Sequence, residues 1–322
     1  MNKLPGWHTL SAAFVAAVVL SACGGGGDTA QAGASPPVAV TPPPGAPPQV
    51  AGAPVATGVV ATDGLNWINY RRGQVGIPVL TRNVQIDLAA QRHSDYQRSN
   101  NTVTHDQETG KPGFTGVALV ARLQQAGFVF TQNANYAYGE VISGTNSTSG
   151  AYMAEELITA IYHRFVIFEP RFKEIGTGSA TSASGYNYFT TDFAANNGYG
   201  PGLGRGGVVT WPTADQAGVT RNFFSDYEAP DPVPGANEVG YPVSVHADID
   251  ATLTATTFTM RARGEADTTV KLLTRSVDGI TPKSAAAIVP LTVLRAATTY
   301  DVTFMGTVEG VPVSRTWSFT TR

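Results

Sequence analysis

Apolar positions along the chain fall into two regimes of spacing. Between residues 60 and 196, Leu65, Ile68 and Tyr70, then Ile86, Leu88, Ala89 and Ala90, recur at helical spacing with Asn and Arg between them. Asp63 and Asn83 stand where N-caps belong. A third helix is predicted over 115–126, with Thr115 as N-cap and Gly127 ending it, and a fourth over 151–163. Tyr186, Tyr188, Phe189 and Phe193, after a Ser/Gly turn at 182–185, predict a short strand, so this stretch reads as α+β. From Tyr241 the period becomes two: Phe258/Met260/Ala262, Val270/Leu272, Tyr300/Val302/Phe304 and Trp317/Phe319 alternate with polar residues. Glu309-Gly310 reads as the turn between the last two strands, and the whole as a small all-β sandwich over 241–322. The segment 199–240, punctuated by Trp211-Pro212 and Asp231-Pro232-Val233-Pro234, reads as a Gly/Pro-rich connector.

The N-terminus follows neither regime. Lys3 precedes an apolar run, Ala12 to Leu20, too short to span a bilayer, so 1–22 reads as a cleavable export signal. Leu20-Ser21-Ala22-Cys23 resembles the lipobox of bacterial lipoproteins, which implies cleavage before Cys23 and acylation of that cysteine. Residues 24–58 hold eight prolines, one charge and no aromatic, too little apolar surface to fold. With Cys23 they read as a lipidated stalk, 23–58, that lifts a globular domain from the membrane. No Asp follows Cys23, which in a Gram-negative host favours the outer membrane.

Composition then removes options. Charged residues are 14 % of the chain and the net charge is −3, with no basic block, so no nucleic-acid footprint exists. A single cysteine precludes an internal disulfide and a thiolate zinc cluster. No HExxH, GxSxG, P-loop or EF-hand pattern is present. Gly202-Leu203-Gly204-Arg205-Gly206-Gly207 matches GxGxxG, but Val208-Val209-Thr210-Trp211-Pro212 after it opens no helix, so it reads as flexible connector.

An ordered set of motifs resembles the bacterial CAP (SCP/PR-1-like) domain. It runs from Leu65…Asn69…Arg72…Gly76-Ile77-Pro78 through Leu88-Ala89-Ala90…His93-Ser94, His105, and Arg122…Ala126-Gly127-Phe128. It continues with Gly139-Glu140-Val141-Ile142, Tyr162-His163-Arg164, Pro170-Arg171-Phe172…Ile175-Gly176-Thr177-Gly178, and closes on Tyr188 to Phe193. The resemblance implies an α-β-α sandwich with an antiparallel central sheet over 59–198. It also implies a cleft built on His105, Glu140 and His163, a set able to hold a divalent cation such as Zn²⁺. The family's second acid has no plain counterpart. Glu156, seven residues before His163 and so on the same side of a continuous helix, is the substitute, while Glu155 points about 100° away. Val141 stands where the family has Asn, and Leu157 where it has Trp. His93 reads as structural or surface, and His246 as exposed at the start of a strand. The segment Leu291 to Thr321 resembles bacterial Ig-like envelope domains, which end in W-x-F-T-T.

These readings lead to a membrane-tethered envelope protein whose CAP cleft binds a lipid, glycan or protein ligand without catalysis. Two alternatives stand beside it. One is a metal-assisted hydrolase of peptide or cell-wall material, with Glu156 as general base. The other is a structural adhesion protein acting through the β-domain.

Overall fold

The computed structural model describes residues 17–24 and 52–322. The basic and apolar run through Ala16 and the stalk between 25 and 51 lie outside the described residues. Ala17–Gly24, which spans the expected cleavage point, is a strand (β1) parallel to β3 (Tyr136–Thr145), with Ala17 opposite Tyr136 and Cys23 opposite Ile142.

The helical half follows the apolar spacing, with differences at the helix ends. Helix α1 (Val60–Val75) buries Leu65 and Ile68 and stops at Gly76, whose φ of 85° is the left-handed conformation a C-cap needs. Asp63 lies inside the first turn instead of capping it, and its carboxylate accepts from Thr57 N–H, Thr57 Oγ1 and Gly58 N–H. Helix α2 (Val84–Asn100) begins as predicted, with the Asn83 side chain accepting from Gln85 and Ile86 N–H at 2.9 and 3.3 Å. Helix α3 spans Leu119–Gln125, later than predicted. Thr115 does not cap it, because the helix begins four residues further on after Ala118, while the Thr115 N–H and hydroxyl donate to Gln107 Oε1. The fourth predicted helix is two, α4 (Gly150–Thr159) and α5 (Ile161–Ile167), broken at Ala160, whose ψ of 125° is extended.

A sheet in the order β1-β3-β5-β4-β2 separates these helices, with β2 at Thr81–Arg82, β4 at Glu174–Thr181 and β5 at Asn187–Ala195. Both β3 and β4 are antiparallel to β5. One face packs Ile86, Ala89 and Leu123 of α2 and α3 around Ala194. The other packs Leu65, Ile68, Leu157 and Ile158 of α1 and α4 around Val141 and Phe193. Adjacent residues of a strand point to opposite faces, so this is the expected α-β-α layering. Helix α2 sits directly on β4: a Cβ at Gly176 or Gly178 would lie 2.2 Å from the backbone nitrogen of Asp87 or Gln91. Asp87 and Gln91 in turn accept the N–H groups of Thr177 and Ser179 at 2.9 and 3.1 Å, beyond the reach of the short β2.

The C-terminal half is all-β. One four-stranded sheet orders β12 (Val270–Thr274), β13 (Ala285–Pro290), β10 (Val243–His246) and β6 (Val209–Trp211). The other orders β11 (Leu253–Ala262), β14 (Thr299–Val308), β15 (Val311–Thr321) and β7 (Gln216–Val219). Glu309 and Gly310 form the β14–β15 turn with φ of 52° and 73°, the positive pair a tight hairpin requires. The 199–240 segment is more than a connector. It supplies β6 and β7 to the two sheets and a separate hairpin pair, β8 (Asn222–Phe224) and β9 (Glu238–Gly240). Trp211, Val219, Phe223 and Val239 are the apolar anchors that draw it in.

The GxGxxG loop also has a built role. Leu203 and Gly204 N–H donate to the two carboxylate oxygens of buried Asp248 at 2.7 and 2.9 Å. Gly202 is required there, since a Cβ would fall 2.3 Å from that carboxylate. The loop wraps an anion of its own chain.

The two halves share a core. Phe168 meets Trp211 edge-on at 5.2 Å, and Arg71 stacks its guanidinium over Trp67 and Trp211 at 5.1 and 5.3 Å while Glu155 holds it from the other side. Glu169, buried after α5, accepts the N–H of Ile249 at 3.0 Å. Burial pushes its carboxyl up to about 8. His246, expected at the surface, is buried because β10 is flanked by β13 and β6 and capped by the rings of Phe165 and Phe168. Among the described residues no helix is long and apolar enough to cross a membrane.

Candidate functional site

His105 and Glu140 come together. Strand β3 carries Glu140 on the face toward α2 and α3, and the loop after α2 returns His105 over it, with Nδ1 2.8 Å from Glu140 Oε1. The other Glu140 oxygen accepts from Arg122 Nη2 at 2.6 Å. Arg122 also donates to the carbonyls of His105 and Val117 at 2.6 and 3.0 Å, so one α3 side chain fixes both the acid and the loop bearing the imidazole. Burial opposes a charge on Glu140, but Arg122, His93 and His105 override it and hold the carboxyl well below the usual carboxylate range.

Beneath this pair lies His93. Its Nε2 is 2.7 Å from the Thr104 carbonyl and its Nδ1 is 2.9 Å from Gln107 Nε2. A carbonyl only accepts and an amide NH₂ only donates, which assigns the neutral imidazole with the proton on Nε2. Burial pushes His93 down to about 4, in agreement with that state. His93 is thus a buried strut of the loop that carries His105.

Asp192 is the acid that sequence reasoning missed. The β3–β5 register sets it opposite Glu140, fully buried, with neither oxygen in a hydrogen bond. Burial and the neighbouring Glu140 push it well above its ordinary value. Its position inside the closing Tyr188 to Phe193 motif was legible; its pairing was not, because register between strands about fifty residues apart has no local mark.

His163 and Glu156 do not join this group. His163 is fully buried on α5 and gives Nδ1 to Glu228 Oε1 at 2.8 Å. The break at Ala160 ends the continuous helix on which the Glu156 to His163 spacing depended, and Glu156 pairs with Tyr152 on the exposed side of α4. Glu155, the residue set aside, is the one turned inward, accepting from Trp67 Nε1 and bidentately from Arg71. Among the described residues no three His, Cys, Asp or Glu side chains are gathered as a metal site. The cation expected on His105, Glu140 and His163 therefore does not fit: Glu140 has both oxygens committed and His163 has its Nδ1 on another carboxylate.

What remains chemically available is the His105 ring. Glu140 accepts at Nδ1, so a neutral imidazole keeps its lone pair on Nε2, which has no hydrogen-bond partner among the described residues. That nitrogen is itself buried, although 21 % of the His105 side chain is exposed against 1 % of Glu140, so a ligand reaches it only if the imidazole or its loop moves.

Residues 65–193 match the model of the CAP, or cysteine-rich secretory protein, family. No curated protein matches the chain. An extracellular SCP-domain protein of Bacillus anthracis aligns at 22 % identity over 42 % of this chain and 39 % of its own, with a TM-score of 0.35. An outer surface protein of Borrelia burgdorferi aligns at 13 % identity over 41 % of this chain and 89 % of its own, TM-score 0.34. A cysteine-rich secretory protein of Staphylococcus aureus aligns at 13 % identity over 44 % and 40 %, TM-score 0.31. The chain thus spans well under half the length of the first and third.

Proposed function

We propose that residues 65–193, which match the CAP family model, form a CAP domain, and that the chain is an exported, lipid-anchored envelope protein that captures a ligand at His105 without transforming it. The observation that carries this reading is the His105–Glu140–Arg122 arrangement. Its charges are satisfied internally, and one buried imidazole nitrogen has no partner among the described residues, so a shift of the partly exposed His105 ring would let it accept from an incoming hydroxyl, amide or other donor. Both Glu140 oxygens are engaged by His105 and Arg122 and His163 Nδ1 is held by Glu228, a donor set that does not fit the cation a metal-assisted hydrolase needs, so the binding reading leads. Cys23 supplies the anchor, the stalk supplies reach, and the C-terminal half is read as an Ig-like sandwich packed on the binding domain.

Two measurements test this. Incorporation of a labelled fatty acid should be abolished by Cys23→Ser. Binding to a panel of envelope phospholipids and glycans should fall at least about tenfold in His105→Ala, as loss of one buried hydrogen bond predicts. Equal binding of wild type and variant across the panel would sink the cleft role.

A further inference from the structure

We infer that His163 is an internal anchor in this chain, by which α5 holds the C-terminal half through Glu228. The inference goes beyond the ligand-binding reading and does not rest on it. Glu228, from the segment between the two halves, is 2 % exposed and takes four hydrogen bonds from α5. Its Oε2 accepts from Ile161 N–H at 2.9 Å. Its Oε1 accepts from Tyr162 N–H at 2.6 Å, His163 N–H at 3.0 Å and His163 Nδ1 at 2.8 Å. The first backbone donors of a helix have no partner within it, so this carboxylate also explains why a new helix starts at Ile161.

The flanking side chains reach the same way. Tyr162 donates its hydroxyl to Asp278 at 3.0 Å. Arg164 donates to the Pro242 carbonyl at 2.7 Å and to Ser244 Oγ at 3.2 Å, and stacks over Tyr241 at 5.0 Å. An apolar ring seals the contact: Ile161 and Phe165 of α5 pack with Phe223, Val239, Leu273 and Ala287. Three successive residues, 162–164, thus all bind groups outside the CAP segment. The histidine that the family pattern offers to a cation is spent on holding the second half of the molecule.

The test is amide hydrogen exchange on the full chain, comparing wild type with Glu228→Gln and with the exposed control Glu108→Gln. Exchange at Ile161, Tyr162 and His163 should rise about a hundredfold in Glu228→Gln, the scale of losing charge-assisted buried bonds. Strands β9 and β13 should open with them, β3 and β5 should not change, and the control should match wild type. Unchanged protection at 161–163, or α5 opening while β13 stays closed, overturns the anchor. Should Glu228→Gln fail to fold, wild type in sub-denaturing urea gives the same answer: α5 and β13 must exchange through one common opening, and separate openings overturn it. Zinc alone, followed through the imidazole resonances, must leave His163 unmoved; a joint response of His105 and His163 overturns it. His105→Ala leaves exchange at 161–163, β9 and β13 as in wild type, so failure of the ligand-binding reading remains distinguishable.

Discussion

At the scale of single residues, two buried acids with raised values make stability fall as pH rises. Asp192 keeps its proton when folded but loses it when unfolded above an ordinary value of 3.8. As pH rises past 3.8 the unfolded state binds fewer protons than the native one, so stability falls. Asp192→Asn keeps the shape and removes that cost. We expect the variant to melt higher than wild type at pH 7 and to lose this advantage near pH 3–4, about the unfolded aspartate value; a lower melting point at pH 7 would show that Asp192 is ionised in the fold. Glu169 works over the window from 4.5 unfolded to about 8 folded. Its contribution is complete below 4.5 and is lost as pH rises to about 8, with a slope of up to roughly 1.4 kcal/mol per pH unit. Urea unfolding of Glu169→Gln between those limits should show the slope flattened. Neither acid was marked as buried by its neighbours in sequence: Asp192 sits among Thr and Phe of a strand, and Glu169 precedes a proline.

At the scale of elements, spacing located the helices and the strands, and misplaced their ends where a distant side chain intervened. Asn83 capped α2 as its sequence position implied, because capping needs only partners two and three residues away. Thr115 is no cap because the helix starts after Ala118 while Gln107 holds Thr115 in the preceding loop, and the helix predicted over 151–163 breaks at Ala160, where Glu228 accepts the N–H groups of the three residues that follow. The glycines of Ile175-Gly176-Thr177-Gly178 were visible as a motif; the structure gives the cause, the backbone of α2 lying against them. Gly178→Ala should therefore cost about 3 kcal/mol or more, the overpacking penalty at a contact with rigid backbone. Alanine at Gly185, where nothing lies within 4 Å but φ is 85°, should cost only about 1 kcal/mol. Chemical denaturation of both variants checks the ranking.

At the scale of the whole molecule, the shared core and the Glu228 anchor predict cooperative unfolding of both halves. Fluorescence of Trp211 at the junction and hydrogen exchange of β14 in the far sheet should report coincident urea midpoints. Two separated midpoints would mean that the halves are independent. The sequence by itself determined the α+β and all-β regimes and the order of the motifs. It also placed His105 and Glu140 in one site, because the motifs that carry them recur at recognisable positions. Only the tertiary structure decided which carboxylate meets which histidine: Glu140 with His105, Asp192 opposite Glu140, Glu228 on His163. The physical reason is the range of the interactions. Periodicity and capping act within one or two turns of chain, whereas these pairs join residues 35, 52 and 65 apart, through strand register and the packing of two sheets on one helical layer.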